Sequence, residues 1–149
     1  MVEKYLISLA GEYAVASEIC RRGMNAVVTL GQRKVVDVIA EKEGGLVSIS
    51  VKSKQGSVWP NCKGVSGDRV LVLVDFQGKE LTERPDFYIL TAKDWTEVVY
   101  RRHGDKIKSG EIVMEDNCPV WTKQGGYRGH SAPVSDVAEF KETWEKILG

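Results

Sequence analysis

Three charged side chains, Glu12, Asp37 and Lys52, occupy positions in the sequence where apolar residues are expected. Glu12 lies at the border of the apolar stripe of an amphipathic helix. Asp37 interrupts the apolar run Val35–Ala40, and Lys52 ends the alternating run Leu46–Lys52. Aspartate is depleted in strands, and a carboxylate at the edge of a core is costly unless it is paired or bound to a cation. The placement of these three charges therefore calls for an explanation.

The pairing of the two runs brings two of these charges together. Glycines end the segment Lys42–Gly45, which predicts a hairpin turn between the two strands. This register places Asp37 directly opposite Ser50 and makes Lys52 its diagonal neighbour on the same face. A slip of one residue would move Asp37 and Lys52 to opposite faces. The pattern thus predicts that a carboxylate and a lysine meet on one face of a hairpin.

Two carboxylates and a lysine in this arrangement suit the hydrolysis of a phosphodiester bond. Carboxylate oxygens hold Mg²⁺, which keeps several of its waters. The metal lowers the pKa of a bound water and stabilises the charge that develops on the phosphate. The lysine can orient that water, help to deprotonate it or meet the developing oxyanion. An alternative stays open: Asp37 and Lys52 form only a cross-strand salt bridge, and Glu12 is a partly exposed helix acid.

The helices and strands predicted around these residues indicate a mixed α/β chain. The first helix, Tyr5–Arg22, carries the stripe Leu6, Leu9, Tyr13, Ala16 and Cys20 on its expected inner face, with Glu18 pointing away. Strands are predicted at Ala26–Leu30, Val35–Ala40, Leu46–Lys52, Arg69–Phe76 and Asp86–Leu90, with short ones at Glu111–Met114 and Val120–Thr122. Gly31–Lys34 is a predicted turn, Thr91 caps a second helix through about Arg102, and a last helix covers residues 137–148. This order predicts a mixed β-sheet flanked by helices.

The composition limits the classes of protein that this chain can represent. It has 149 residues with 21 basic and 21 acidic side chains, so its formal net charge is zero. We expect one domain over residues 1–149. The charge balance excludes a polybasic nucleic-acid binder, and no apolar run approaches the roughly 18 residues of a membrane span.

The ends and the cysteines indicate a cytoplasmic protein. The N-terminus lacks the basic region and apolar core of a signal peptide. The cysteines, Cys20, Cys62 and Cys118, are odd in number and widely spaced, which predicts neither a disulfide framework nor a zinc site. No motif places a base beside any of them, so we expect no catalytic cysteine, and Cys20 is expected in the core.

The runs GEYAVASEICRRG, VVDVIA and LVSISVKSK resemble the PD-(D/E)XK nuclease superfamily over about residues 9–55. The resemblance implies the restriction-endonuclease-like fold, with an αβββαβ core and a mixed sheet. It also implies that Glu12 is the helix carboxylate, Asp37 the metal-binding aspartate and Lys52 the lysine of (D/E)XK. This sequence departs from the motif at Ser50, which stands where the family has a second carboxylate.

The resemblance extends to cofactor, partners and further site residues. The metal would be Mg²⁺ or Mn²⁺, bound by Asp37, Glu12 and the carbonyl of Val51. Gln55 resembles an auxiliary site residue, with a solvated loop glutamine as the alternative. The implied substrate is DNA rather than RNA, and the implied assembly includes a homodimer.

Three hypotheses follow for the function. The first is a metal-dependent nuclease that hydrolyses DNA. The second is a catalytically weak or inactive module of the same fold that binds nucleic acid or a protein partner, because Ser50 replaces a carboxylate. The third is a structural α/β domain whose charges form ordinary salt bridges.

Several other residues could have functional roles, and each also has a structural interpretation. Arg101, Arg102 and His103 are either phosphate contacts or a solvated helix end. Trp59, Trp121 and Tyr127 either stack on unpaired bases or pack under loops. Lys54, Lys63 and Arg128 could line a nucleic-acid groove, and His130 has no partner at metal-ligand spacing.

Overall fold

The computed structural model describes residues 1–31 and 36–149. The helices are α1 (Lys4–Arg21), α2 (Ala92–Ser109), α3 (Val134–Val137) and α4 (Glu145–Leu148), with a 3-10 turn at Ala138–Phe140. The first six strands are β1 (Ala26–Val28), β2 (Val38–Lys42), β3 (Gly45–Lys54), β4 (Val58–Cys62), β5 (Val70–Asp75) and β6 (Asp86–Thr91). The remaining strands are β7 (Ile112–Glu115), β8 (Cys118–Trp121), β9 (Tyr127–Arg128) and β10 (His130–Pro133). None of the helices in the described ranges has the length and apolar character that a membrane crossing needs.

A mixed sheet flanked by helices forms the centre of the molecule, as predicted. Its strand order is β1-β2-β3-β5-β6. The β3–β5 pair is parallel, and the other pairs are antiparallel. The connection between the parallel strands carries β4, where the αβββαβ order has a helix, and α2 follows β6. Two small sheets, β10-β4 and β7-β8-β9, lie beside the main one.

The β2–β3 hairpin has the predicted register. Lys42 pairs with Gly45 and Val38 with Ile49, so the turn lies where the glycines indicated it. The prediction of Asp37 in mid-strand is wrong, because β2 begins only at Val38 and Asp37 lies in the bend before it. The other part of that prediction, Val35, and the turn residues 32–34 lie outside the described residues.

Both faces of the sheet are covered where β5 crosses it. All six residues of β5 are buried. Val70, Val72 and Val74 face the cluster that includes α1, and Leu71 and Leu73 face the cluster that includes α2. The prediction of a doubly covered strand from this apolar run is therefore confirmed.

Helix α2 begins after its predicted cap, Thr91, and ends later than predicted. The Thr91 hydroxyl accepts from the Asp94 N–H at 3.2 Å, and the Asp94 carboxylate accepts from the Thr91 N–H at 2.9 Å. The helix continues past Arg102 through a non-helical residue, His103, to Ser109. Gly110 then stops it in the left-handed conformation with φ 83°.

The prediction of which face of α1 is turned toward the core is wrong. Glu18 is buried, whereas Tyr13 and Cys20 of the predicted inner stripe are exposed. Two contacts explain this orientation. Glu18 forms ion pairs with Arg84 and with Arg21, the latter at 2.9 Å. Gly11 also lies against β3 so closely that an added Cβ would stand 1.8 Å from Ser53 Oγ.

Strand β4 was not predicted, and its tryptophan belongs to the core. Trp59 is fully buried, packs edge-to-face on Tyr88 with ring centroids 5.7 Å apart, and donates to the Val74 carbonyl at 3.0 Å. It is therefore not available for stacking on a base. The strand pairs with β10, more than 60 residues away along the chain, so no local pattern indicates it.

The prediction of one continuous helix over residues 137–148 is also wrong. The chain breaks at Glu142, which has a φ of 58°. The Glu142 N–H donates to the Phe87 carbonyl at 2.9 Å, and the Thr143 hydroxyl donates to the Ile89 carbonyl at 2.8 Å. These bonds hold the segment across β6, which is an edge strand of the main sheet. The expected stripe is buried but divided: Val137 and Phe140 pack on the α2 side, Trp144 and Ile147 on the α1 side.

Candidate functional site

The site begins where β3 extends beyond its neighbour β2. The last β2 pair is Val38 with Ile49, so β3 runs on from Ser50 to Lys54. There the Asp37 Oδ2 accepts a hydrogen bond from the Val51 N–H at 2.8 Å, and the Asp37 N–H donates to the Ile49 carbonyl at 3.0 Å. The side chain of Asp37 thus takes the place of a ladder carbonyl, which is the physical reason why β2 begins after it.

The carbonyl of Val51 faces the same edge as the Asp37 carboxylate. In a β-strand the N–H and C=O of one residue point to the same side. Because the Val51 N–H bonds to Asp37, its carbonyl also points away from β5. The structure therefore aims two oxygen groups, one from a side chain and one from the backbone, at a single edge.

Thr29 connects this edge to the end of β1. The Thr29 N–H donates to the Asp37 carbonyl at 2.9 Å, and the Thr29 hydroxyl contacts the same carbonyl at 3.2 Å. The hydroxyl also donates to the Val36 carbonyl. These bonds fix the backbone of Asp37 beside the last residues of β1.

Glu12 lies on the wall of a cleft at the same end of the sheet. Glu12 is 7% exposed. The cleft has a volume of about 530 Å³ and lies between α1 and the end of β1, lined by Tyr5, Ser8, Leu9, Glu12, Thr29, Leu30 and Gly31. Thr29 belongs both to this cleft and to the contacts of Asp37, so the structure brings Glu12 and Asp37 to one region.

Ser50 and Lys52 lie on the face of β3 that is turned away from α1. They pair with Leu71 and Leu73 of β5, whose side chains belong to the α2 side. Lys52 is half-buried. Among the residues that the structure describes, no carboxylate lies within 4.0 Å of its amine. The alternative in which Asp37 and Lys52 form a cross-strand salt bridge is therefore wrong.

The surroundings of Lys52 include the thiol of Cys62. Burial raises the pKa of the Cys62 thiol to about 11, against the opposing effects of a hydrogen bond from Gly64 and of the positive charge of Lys52. A thiol with this pKa stays protonated at neutral pH, so it is a poor nucleophile.

Gln55 holds the N-terminal segment. Its Oε1 accepts from the Val2 N–H at 3.1 Å, and its Nε2 donates to the Val2 carbonyl at 2.8 Å. These two hydrogen bonds give Gln55 a structural role. Its role as an auxiliary site residue stays a prediction.

The oxygen groups of this region suit a hydrated divalent cation better than a cation caged by protein. Within residues 1–31 and 36–149 no three or more His, Cys, Asp or Glu side chains are grouped closely enough to hold a metal. Asp37, Glu12 and the Val51 carbonyl are hard oxygen donors. Mg²⁺ is commonly bound through one or two carboxylates while it keeps several waters, and this donor set fits that pattern.

The predicted groove of Lys54, Lys63 and Arg128 is not formed by these three residues. Lys54 is buried, and its amine donates to Asp75 Oδ1 at 2.7 Å and to the Gly56 carbonyl at 2.9 Å. Lys63 and Arg128 line a separate pocket of about 180 Å³, and Arg128 there forms an ion pair with Glu115 at 2.7 Å.

Two histidines and an aspartate form a chain of hydrogen bonds that the local sequence pattern does not predict. His103 Nε2 lies 3.0 Å from His130 Nδ1, and His130 Nε2 lies 2.9 Å from Asp136 Oδ2. The neighbouring arginines of α2 bind the same C-terminal segment: Arg102 approaches Asp136 at 3.6 Å, and Arg101 pairs with Glu139 at 3.0 Å. The sequence offered no signal for this chain, because its members lie on three elements that meet only in the tertiary structure.

The tryptophan of β8 also has a partner within the fold. Trp121 donates to the Gly129 carbonyl at 2.9 Å and packs edge-to-face on His103, with centroids 5.0 Å apart. Tyr127 hydrogen-bonds to Asn61. Both contacts agree with packing beneath loops, the alternative to base stacking.

The chain has a distant structural likeness to known proteins. No protein-family model matches the chain, and no curated protein matches it at a significant level. It is similar to the solved structure of a bacterial homing endonuclease, I-Ssp6803I, with 18% identity and a TM-score of 0.44. The match covers 61% of this chain and 67% of that one. The function of this chain has to be argued from its own residues.

Proposed function

We propose that this protein is a metal-dependent nuclease of the PD-(D/E)XK type that hydrolyses DNA phosphodiester bonds. Asp37 and Glu12, with the Val51 carbonyl, would hold Mg²⁺ or Mn²⁺. Lys52 would assist the attacking water, and Ser50 would occupy the position of the second strand carboxylate.

The hydrogen bond from the Val51 N–H to Asp37 Oδ2 carries this proposal. At 2.8 Å it fixes one carboxylate oxygen at the β3 edge, which orients the carboxylate before any ligand arrives. The position is also where β3 extends beyond the last β2 residue that pairs with it. A carboxylate that served only as a salt-bridge partner would not need this backbone contact.

Each side chain has a task in the proposed reaction. A bound Mg²⁺ would lower the pKa of a coordinated water and stabilise charge on the phosphate. Asp37 and Glu12 supply negative charge that favours a divalent cation. Lys52, with no described carboxylate within ion-pair distance, is free to donate to the attacking water or to a phosphate oxygen.

The test is a cleavage assay on plasmid and on single-stranded DNA, with Mg²⁺ and with Mn²⁺. Wild type is compared with Asp37→Ala and Lys52→Ala, and with controls Glu43→Ala and Lys42→Ala, two exposed residues at the hairpin turn. We expect the two site variants to lose about a hundredfold or more in rate and the two controls to keep it. Equal activity in all five proteins would show that cleavage comes from a contaminant.

A second candidate is a catalytically weak or inactive module of the same fold that binds nucleic acid or a protein partner. The observation that favours it is Ser50, which stands where the nuclease motif has its second strand carboxylate. Salt-sensitive DNA binding without cleavage in either metal would support this candidate over the first.

A further inference from the structure

A pocket at the connection between β4 and β5, the β4–β5 pocket, is lined by an excess of positive charge. Its walls come from that connection, from the β7–β8 turn and from β9, and its volume is about 180 Å³. The charged residues that line it are Lys63, Arg69, Arg128, Glu115 and Asp116. Arg128 and Glu115 pair with each other at 2.7 Å, which leaves two cations and one carboxylate.

The two remaining cations, Lys63 and Arg69, have no acidic partner. Neither has a carboxylate within 4.0 Å in the part of the chain that the structure describes, and residues 32–35 contain no acid. Asp116, the remaining carboxylate of the wall, is therefore not in direct contact with either of them. The pocket thus has two positive charges that no ion pair neutralises, and an anion is the ligand that they favour.

A tight turn adds a hydroxyl to the same wall. The Arg69 N–H donates to the Ser66 carbonyl at 3.4 Å, and both residues line the pocket. The Ser66 hydroxyl makes no hydrogen bond to any described residue, so it can donate to a ligand. Burial raises the pKa of the Cys118 thiol, against the opposing charges of Arg128 and Lys63, so this thiol adds no negative charge at neutral pH. An ammonium, a guanidinium and a hydroxyl together suit a phosphate group.

The β4–β5 pocket adjoins the strands of the candidate site. Arg69 immediately precedes Val70, which pairs with Ile49 of β3. The Ile49 carbonyl in turn accepts from the Asp37 N–H at 3.0 Å. Neighbouring strands lie about 4.8 Å apart, so β5 lies about 10 Å from the line of β2. A DNA strand rises about 3.4 Å per nucleotide, so about three nucleotides span this distance.

We propose that Lys63, Arg69 and Ser66 bind a backbone phosphate of DNA, about three nucleotides from the phosphodiester bond that is cut. The inference rests on the proposed nuclease function and adds a second contact with the same substrate. Two unpaired cations concentrate positive charge at one point, which a chain with zero net charge needs in order to hold an anionic strand. A contact with the backbone carries no sequence information, so the pocket should bind DNA of any sequence.

The test measures the binding of a labelled DNA duplex by fluorescence anisotropy at several salt concentrations, without divalent metal so that the DNA is not cut. The pocket variants are Lys63→Gln, Arg69→Gln and Asp116→Asn, together with the double variant of the two cations. The controls are Lys108→Gln and Asp105→Asn, which change an exposed lysine and an exposed aspartate of α2 that do not line the pocket.

We expect Lys63→Gln and Arg69→Gln each to weaken binding by about three- to tenfold at low salt and to lower the slope of log affinity against log salt by about one. The double variant should lower this slope by about two. Asp116→Asn should strengthen binding, because it removes a negative charge beside the phosphate. Both controls should bind as the parent protein does. Lys63 and Asp116 are exposed, so their variants should fold, and circular dichroism verifies the fold of every variant.

Equal affinity and equal salt slope in Lys63→Gln and Lys108→Gln would overturn the inference. A second contrary result concerns free phosphate, which calorimetry with inorganic phosphate measures. If phosphate binds to the parent protein and not to the double variant, while both proteins bind DNA equally, the pocket holds a free phosphate group and not the DNA backbone.

These failures are distinct from failure of the proposed nuclease. Pocket variants without any effect on DNA binding would leave the loss of cleavage in Asp37→Ala intact. Unchanged cleavage in Asp37→Ala would instead reject the nuclease proposal, while the effect of the pocket variants on DNA binding would still be measured without metal.

Discussion

Asp37 lies one residue before β2, and Ser50 follows Ile49, the last β3 residue that pairs with β2. Asp37 supplies a carboxylate, and Ser50 supplies a hydroxyl that is a weak ligand for a hard cation. A metal held here would therefore have less negative charge around it than two carboxylates would provide. Metal affinity is the property that this single position should control.

Ser50→Glu should strengthen the response to metal. A second carboxylate at position 50, next to the Val51 N–H that binds Asp37, adds an oxygen ligand and a negative charge, so we expect half-maximal cleavage at about tenfold lower Mg²⁺. The matched control is Ser48→Glu, which lies on the same face of β3 but opposite Ile39. An identical Mg²⁺ dependence in the two variants would show that position 50 does not contact the metal.

The two lysines of β3 that flank Ser53 should behave differently. Lys54 is buried beside Asp75, so Lys54→Met leaves a buried carboxylate without its cation and should cost about 3–5 kcal/mol of unfolding free energy. Lys52→Met should change stability by less than about 1 kcal/mol, since Lys52 has no described carboxylate partner. Urea unfolding measures both values.

A double variant distinguishes the buried charge from simple loss of packing. In Lys54→Met with Asp75→Leu no charge is left unpaired, so the double variant should be more stable than Lys54→Met alone. If it is less stable, the salt bridge is not the reason for the effect.

At the scale of elements, the close approach of α1 to β3 places Glu12. Gly11 has no Cβ, and its backbone can lie against Ser53 at a distance that no other residue allows. The same contact leaves the Ser53 hydroxyl buried without a hydrogen-bond partner among the described residues. The helix is therefore positioned by a steric fit and not by a polar contact at this point.

Gly11→Ala and Gly104→Ala should have opposite effects on stability. The added methyl at Gly11 would meet Ser53, so we expect a loss of about 1–3 kcal/mol. At Gly104, in α2, a Cβ meets nothing within 4 Å, and alanine should stabilise the helix by about 0.5–1 kcal/mol. Thermal unfolding of the two variants gives the signs. A stabilised Gly11→Ala protein would mean that α1 can move away from β3 without loss.

At the scale of the molecule, the net charge of zero makes long-range attraction to DNA weak. The arginines of the α2 region do not form a free basic surface, because Arg101 and Arg102 bind acids of the C-terminal segment. DNA affinity in the proposed function must therefore come from the metal and from local contacts such as those of the β4–β5 pocket. A homodimer, which would double these contacts, stays a prediction.

Stability of the whole chain should fall as the pH drops from about 7 to about 5. Burial, together with the charges of His130, Lys106 and Arg102 and against the opposing charge of Asp136, lowers the pKa of His103 to about 4. The unfolded chain binds a proton near its ordinary pKa of about 6.5, so below that value protons favour unfolding. Burial also lowers the pKa of His130, against its hydrogen bond to Asp136.

The chain has only two histidines, which provides a direct control for this effect. The variant His103→Gln with His130→Gln should show a flatter dependence of unfolding free energy on pH between 7 and 5. Urea unfolding at several pH values measures it. An unchanged slope would assign the pH dependence to carboxylates instead.

Local patterns determined much of the fold. The alternating runs and the glycine turn predicted the β2–β3 register from Val38–Ile49 to Lys42–Gly45. The continuous apolar run predicted the buried strand β5, and Thr91 predicted the start of α2. These features depend on residues close together in the chain, where side-chain period and turn chemistry act directly.

Only the tertiary structure decided the features that depend on distant partners. The rotation of α1 follows from the Gly11 fit and the Glu18–Arg84 ion pair, and it turns Tyr13 outward against the apolar pattern. The His103–His130 contact and the cleft between α1 and β1 have no local signature. Charge pairs and steric fits between separate elements can outweigh periodicity, because one buried unpaired charge costs more than several exposed apolar groups.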